Sequence, residues 1–120
     1  MMLSIEKKKF AEAVHIVSRF AEKGSGTLPA LSSILLISGN DGIKLRATNL
    51  ETAIDLKLVG ERKGDGVVAI PAKVLEQITS SFGGEGSLTL DHKGDLVMLQ
   101  SGGVKSSIKT VPYEDFPIIP

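Results

Sequence analysis

Residues 66–82 read GVVAIPAKVLEQITSSF. A short apolar run, 67–70, passes straight into Pro71, and apolar residues then recur at Val74, Leu75, Ile78 and Phe82. That is the spacing of one face of an α-helix, with Lys73, Glu76, Gln77 and Ser80 on the other side. Proline suits the junction, because the first turn of a helix leaves backbone N–H groups without partners and proline has none to leave. Gly83, Gly84 and Gly86 stop the helix over 72–82. The stretch is a strand running directly into a helix.

The same unit stands at the amino terminus. Residues 3–5 make a short apolar strand, and Phe10, Ala13, Val14, Val17 and Ala21 recur at helical spacing over 6–21. Lys8, Glu12, His15, Arg19 and Lys23 form a polar stripe along the opposite side, and Gly24 and Gly26 end the helix. Three strands follow each helix. After the first come 31–38, 43–48 and 52–59, with Asn40-Asp41-Gly42 as a hairpin signal between the first two. After the second come 87–91, 96–101 and 104–111, joined by 92–95 and by Gly102-Gly103. The polar stretch 60–66 reads as a turn.

The halves, about 1–60 and 66–111, share little residue identity, so what is duplicated is architecture: a β-α-β-β-β unit written twice. The expected fold is α+β, two helices packed on antiparallel sheet around one core. Residues 112–120 carry Pro112, Pro117 and Pro120 around Tyr113-Glu114-Asp115-Phe116 and read as the start of an extended linker to a further domain.

A chain of 120 residues, 42% apolar and 23% charged, fits one soluble domain, 1–120, with an ordinary core. It has no cysteine, which excludes disulfides and thiolate-bound metals. Fourteen basic and fourteen acidic residues balance, unlike the strong positive excess of a dedicated nucleic-acid module, so any DNA contact is local or weak. The amino terminus becomes charged at once and lacks the apolar stretch of an export signal, and the apolar run 34–37 is far short of the roughly 20 residues that cross a membrane. A cytoplasmic protein that does not insert in membranes is expected.

Catalysis requires a nucleophile, a base and an orienting group in one cleft, and the two histidines, His15 and His92, fall on a helix stripe and in a hairpin turn. No catalytic set, metal site or cofactor is expected from these residues. The glycine-rich 82–87 follows a helix and precedes a strand, the reverse of a phosphate-binding loop. Between strands, 48–52 reads as a turn in which Asn and Thr satisfy backbone groups. Lys8, Arg19, Lys23 and Lys73, diluted by Glu12, Glu22 and Glu76, fit either an ordinary solvated helix face or weak phosphate contact. The last strand places Lys105, Ser107 and Lys109 on one face and Ser106, Ile108 and Thr110 on the other, the pattern of an exposed edge guarded by lysine.

Thr27-Leu28-Pro29-Ala30-Leu31, then Ala47-Thr48-Asn49-Leu50-Glu51, then Ile70-Pro71-Ala72-Lys73, and finally Thr110-Val111-Pro112 with Asp115-Phe116-Pro117 stand in order across nearly the whole chain. In this register, on a duplicated strand-helix-three-strand frame, they resemble the first domain of the bacterial sliding clamp family, the beta subunit of DNA polymerase III. The resemblance implies a DNA-clamp domain, the first of three in a protomer that closes as a head-to-tail homodimer around duplex DNA. It implies a non-catalytic processivity factor without cofactor, met by DNA polymerase III and the clamp loader through later domains. It places Lys8, Arg19, Lys23, Ser25, Lys73 and Gln77 toward DNA, in weak and sequence-independent contact. It places Val74, Lys105, Ser106, Ser107 and Ile108 at the joint with the second protomer, with the Ile108 side chain exposed before assembly. Two positions depart from the family pattern: Ser106 stands where a larger apolar side chain is expected, and Ser25 where a basic one is. The alternative is a small free-standing ligand- or peptide-binding domain of the same shape, marked by a concave pocket with converging polar groups or by an edge strand that takes up a peptide.

Overall fold

The structure, a computed structural model, describes residues 1–21, 29–112 and 114. Its elements are β1 (Met2–Glu6), α1 (Lys7–Ser18), a 3-10 turn (Pro29–Ser32), β2 (Ser33–Gly39), β3 (Gly42–Thr48), β4 (Ala53–Leu58), β5 (Gly60–Lys63), β6 (Gly66–Pro71), α2 (Ala72–Ser81), β7 (Ser87–Lys93), β8 (Leu96–Ser101) and β9 (Val104–Lys109). They form two antiparallel sheets, one ordered β5-β1-β7-β8-β9 and the other β4-β3-β2-β6.

The duplication is interleaved. The strand that opens the first unit, β1, lies beside β7 of the second, with Leu3 opposite Leu90 and Ile5 opposite Leu88. The strand that opens the second unit, β6, lies beside β2 of the first, with Val68 opposite Leu36 and Ile70 opposite Ile34. Neither unit can complete its sheet without the other, so the two share one core of necessity. The strand-to-helix junctions repeat in geometry as well: Glu6 (φ −57°, ψ 125°) precedes α1 and Pro71 (φ −54°, ψ 123°) precedes α2.

Alternation within the strands builds the core. Ile34 and Leu36 of β2, Ile43, Leu45 and Ala47 of β3, and Val68 and Ile70 of β6 line up across the register on one face. Leu88, Leu90, Val97 and Leu99 do the same in the other sheet. Phe10, Val14 and Val17 of α1 and Leu75 of α2 are fully buried against them. Each such side chain contributes about 1.5–3 kcal/mol by leaving water. The hairpin between β2 and β3 turns at Gly42, whose φ of 108° is open to glycine at little cost.

The structure departs from the sequence reading at several points. Residues 60–63 form a strand rather than a turn, β5, pairing with β1 from Met2↔Lys63 to Ile5↔Gly60. A Cβ at Gly60 would lie 2.7 Å from the Ser4 carbonyl oxygen, so only glycine permits this approach. The helix α1 ends at Ser18, and Pro71 closes β6 as the N-cap of α2 instead of sitting in its first turn. On α2 the inward row is Ala72, Leu75 and Thr79, whereas Val74, expected inward, is 39% exposed. Thr79 tolerates burial because its hydroxyl donates to the Leu75 carbonyl at 2.9 Å.

The largest correction concerns Ile108. The strand β9 is the sheet edge that the lysine pattern suggests, but Ile108 is only 3% exposed. It lies opposite Val97 on the core face, and the residues turned outward are Lys105, Ser107 and Lys109. An edge strand exposes its backbone groups, and its side chains still alternate between core and solvent. The last strand ends at Lys109, after which the Val111 N–H donates to the Ala69 carbonyl at 2.9 Å. The expected helix stop at Gly24 and Gly26, the Thr27-Leu28 pair and most of the linker expected over 112–120 lie outside the described residues.

Candidate nucleic-acid interface

The two helices pack against each other, and their solvent side is where the sequence places phosphate-seeking groups. Lys8, Glu12, His15 and Arg19 from α1 and its C-cap are exposed, as are Lys73 and Gln77 from α2. Lys8 and Lys73 are each the second residue of their helix, so the duplication sets them in equivalent places. Lys23 and Ser25 lie outside the described residues. Ion pairs engage Lys44 with Asp41 at 2.7 Å, Arg46 with Asp55, Arg62 with Asp65 at 2.9 Å, and Lys93 with Asp91 at 3.6 Å. Among the described residues, Lys8, Arg19 and Lys73 have no such partner, and on β9 neither do Lys105 and Lys109.

An acid sits at the helix seam. One oxygen of Glu76, Oε2, accepts from His15 Nδ1 at 2.8 Å and from the Ser18 hydroxyl at 3.1 Å. A carboxylate only accepts, so the contact assigns the hydrogen to Nδ1. Ser18 also reaches the His15 carbonyl at 3.0 Å, as serine does within a helix. Sequence periodicity places His15 and Glu76 on polar faces and cannot show that they meet, since 61 residues separate them.

Elsewhere charge serves the sheets. Two hydrogen bonds from Arg46, one of them Nη2 to Oδ2 at 2.9 Å, hold the Asp55 carboxyl below its ordinary range, and Lys44 does the same for Asp41 chiefly by hydrogen bonding. The turn after β3 is tied as its residues suggest. Asn49 Oδ1 accepts from the Glu51 and Thr52 N–H groups at 3.0 and 2.8 Å, and Thr48 Oγ1 accepts from Leu50 N–H at 3.0 Å. The cost is a positive φ of 78° at Leu50, whose side chain is 67% exposed.

Two open sheet edges belong to equivalent places in the duplicated units. On β9, Val104 is half exposed, Ser106 is half-buried on the core face, and exposed Val74 stands on the neighbouring α2. On β4, Ile54, Leu56 and Leu58 are half-buried, with the exposed residues Leu50 and Val59 beyond its two ends. Of the joint residues inferred from sequence, Val74, Lys105, Ser106 and Ser107 are accessible and Ile108 is not. The β4 edge, Leu50 and Val59 had no advance signal beyond the turn at 48–52 and the glycine after Val59.

A cleft of about 400 Å³ between β6 and the β7–β8 turn is floored by Val67, Val68 and Val111, with His92, Asp95 and Glu114 at its rim. The His92 ring is engaged with the Gly94 carbonyl at 3.0 Å, and the backbone carbonyl of Asp95 accepts from the Thr110 N–H at 2.8 Å. Among the described residues, no group of three or more histidine and acidic side chains is placed to hold a metal ion. Among the same residues, no helix is long and apolar enough to cross a membrane.

A family model described as the DNA polymerase III beta subunit, N-terminal domain, matches residues 1–120. A beta sliding clamp from Vibrio harveyi is 30% identical over 122 residues, covering 99% of this chain and 82% of that sequence. One from Pseudomonas aeruginosa is 24% identical over 120 residues, covering 99% of this chain and 32% of its own. Among solved structures, a putative DNA polymerase III beta subunit from Eubacterium rectale superposes with a TM-score of 0.92 at 25% identity, over all of this chain and 33% of the other. The beta subunit from Thermotoga maritima shares the fold at a TM-score of 0.90 and 22% identity, over 99% and 32% of the two chains. The chain spans about a third of the length of these structures and of the Pseudomonas relative.

Proposed function

The chain belongs to the family of the DNA polymerase III beta subunit, N-terminal domain, and on that premise we propose that it is the first domain of a ring-shaped processivity clamp that encircles duplex DNA. The observation that carries the proposal is the helix layer, where Lys8, Arg19 and Lys73 stand exposed without ion pairs on a chain of zero formal net charge. Such a surface attracts phosphate from any sequence and holds it loosely. Gln77, and from the resemblance Lys23 and Ser25, complete the DNA-facing set. The mechanism is topological: a closed ring stays on DNA because it is threaded, and the replicative polymerase stays by holding the ring. No step needs a cofactor or a catalytic group of this chain, and the setting is the cytoplasm.

The joint with a second protomer falls at the β9 edge. Its open backbone accepts a partner strand, Lys105 and Ser107 face outward to meet it, and Val74 with Ser106 offers an apolar contact between the helix and sheet layers. Ile108 supports this edge from beneath. The polymerase and the clamp loader act on the later domains of the protomer, beyond the linker that begins at about 112.

Duplex binding measured by fluorescence anisotropy tests the reading. Weak, sequence-independent binding that falls steeply with salt is expected, and Arg19→Glu or Lys73→Glu should weaken it while leaving the melting temperature unchanged, because both side chains are exposed. Binding indifferent to both reversals would refute the placement of DNA on this face.

A further inference from the structure

Two acids of the described helix layer, Glu12 and Glu76, carry charge that works against phosphate contact, and Glu76 is the one held in place by hydrogen bonds. Its carboxylate lies at the seam of α1 and α2, with Oε2 fixed by His15 Nδ1 and Ser18 Oγ. Glu12, the other acid of the described helix layer, is exposed and has neither hydrogen bond nor ion pair. Lys73 stands one turn before Glu76 on the same helix, a spacing at which opposite charges meet, yet no lysine or arginine pairs with Glu76. The two donors that hold it are a hydroxyl and an imidazole, neither of them a permanent cation. With the imidazole neutral, its position is fixed without the cancellation of charge that a lysine or arginine would bring. A long, flexible acid held still loses more rotamer freedom than a leucine or isoleucine at the same seam would.

We propose that Glu76 is an affinity-limiting residue of the DNA-facing surface: a fixed negative charge, anchored by His15 and Ser18, that weakens phosphate contact by Lys8, Arg19 and Lys73 and so leaves the ring free to slide. This rests on the reading that the helix layer faces DNA. Lys73 is one turn from Glu76 on α2, and Arg19 is one turn from its anchor His15 on α1. At 0.1 M salt the screening length is about 10 Å, so a charge held at the seam is felt by phosphates that approach these neighbouring basic groups. Removing it is expected to tighten duplex binding by about twofold to fivefold, with the gain shrinking as salt rises.

Glu76→Gln tests this directly, since the amide oxygen still accepts from Ser18 and His15 while the charge is gone. Anisotropy titrations with a fluorescent duplex, run across salt beside Arg19→Glu, should show a gain for the first variant and a loss for the second. Glu76→Ala removes both the charge and the hydrogen bonds. The same gain is expected from it, because the proposal assigns the effect to charge. If Arg19→Glu weakens binding and neither Glu76 variant tightens it, the proposal is overturned and the DNA-facing reading stands. If Arg19→Glu and Lys73→Glu change nothing, both fall. A variant of Glu76 that binds DNA less well would mark the residue as a structural clip and overturn its role as a limiter.

Discussion

Replacing Ile108 by alanine tests whether the last strand is part of the core or a decoration of its edge. Ile108 is 3% exposed, and its cross-strand neighbour Val97 is fully buried. Truncation to alanine removes three carbons from water-free surroundings and leaves a cavity, for which isoleucine sites cost about 2–5 kcal/mol. An edge strand closes over a cavity more readily than a central one, so the lower part of that range, about 2–3 kcal/mol, is expected. For 120 residues the unfolding entropy near the midpoint is roughly 0.25 kcal/mol per degree, which makes the expected fall in Tm about 8–12 °C. Urea unfolding at constant slope measures the free energy, and a thermal scan measures the Tm. Lys105→Ala on the same strand, turned to solvent, serves as the control and should stay within about 0.5 kcal/mol. An Ile108→Ala cost below about 1 kcal/mol would refute the placement of β9 on the core. The same reasoning disqualifies Ile108→Asp as a probe of the protomer joint, because a buried carboxylate would unfold the domain before it could separate two of them.

The joint is better probed from the accessible residues. In the whole protein, Lys105→Glu should shift dimer toward monomer and Ser106→Leu should shift it the other way by adding apolar contact; sedimentation velocity reads both, and an unchanged equilibrium for both would move the joint elsewhere. Gly60→Ala should cost about 1–3 kcal/mol, since its Cβ would meet the Ser4 carbonyl at 2.7 Å, and amide exchange over β5 should quicken; a neutral result would remove β5 from the sheet. The Asp55 carboxyl is held below the ordinary 3.8 by Arg46, so its contribution to stability is present above that value and is lost as pH falls through the lower folded one. Asp55→Asn should therefore flatten the acid limb of a stability-against-pH curve below about pH 4, and an unaltered limb would show that the pair is spent in solvent.

What was legible in the sequence is what local periodicity encodes. The rows Phe10, Ala13, Val14, Val17 and Leu75, Ile78, Phe82 mark two helices, and alternation along 43–48 and 54–58 marks strands, because one buried face repeats at a fixed period. The strand β5 escaped because Glu61, Arg62 and Lys63 have no apolar alternation: it is held by backbone pairing to β1, and side chains do not record that. Val74 reads as inward because hydropathy ranks valine as core, and Thr79 is passed over, although a threonine whose hydroxyl returns to its own helix is buried at little cost. The Glu76 site was out of reach for a different reason. Periodicity tells which residues leave the core, while their meeting across two helices depends on how those helices dock.

The interleaving of the units explains why such a domain has the edges it has. With β1 lent to one sheet and β6 to the other, the last strand of each unit, β4 and β9, is left at the end of a sheet with one side unpaired. These two edges occupy equivalent places in the duplicated architecture and differ in sequence: β4 is bordered by Leu50 and Val59, β9 by Lys105, Ser107 and Val74. The other two sheet ends are β5, a strand of four residues, and β6, whose Ala69 already pairs with Val111. Longer open edges of unlike chemistry, such as β4 and β9, favour head-to-tail contacts over contact between like faces, and head-to-tail contacts close into a ring when the rotation at each joint is right. In the ring proposed above, the β4 edge would be free for a neighbouring domain in the same protomer while β9 would meet the second protomer, and this domain carries its two helices packed together. A ring built this way presents one helix layer per domain to whatever it encircles. That is why so few unpaired basic groups on this chain are enough for the role proposed for it.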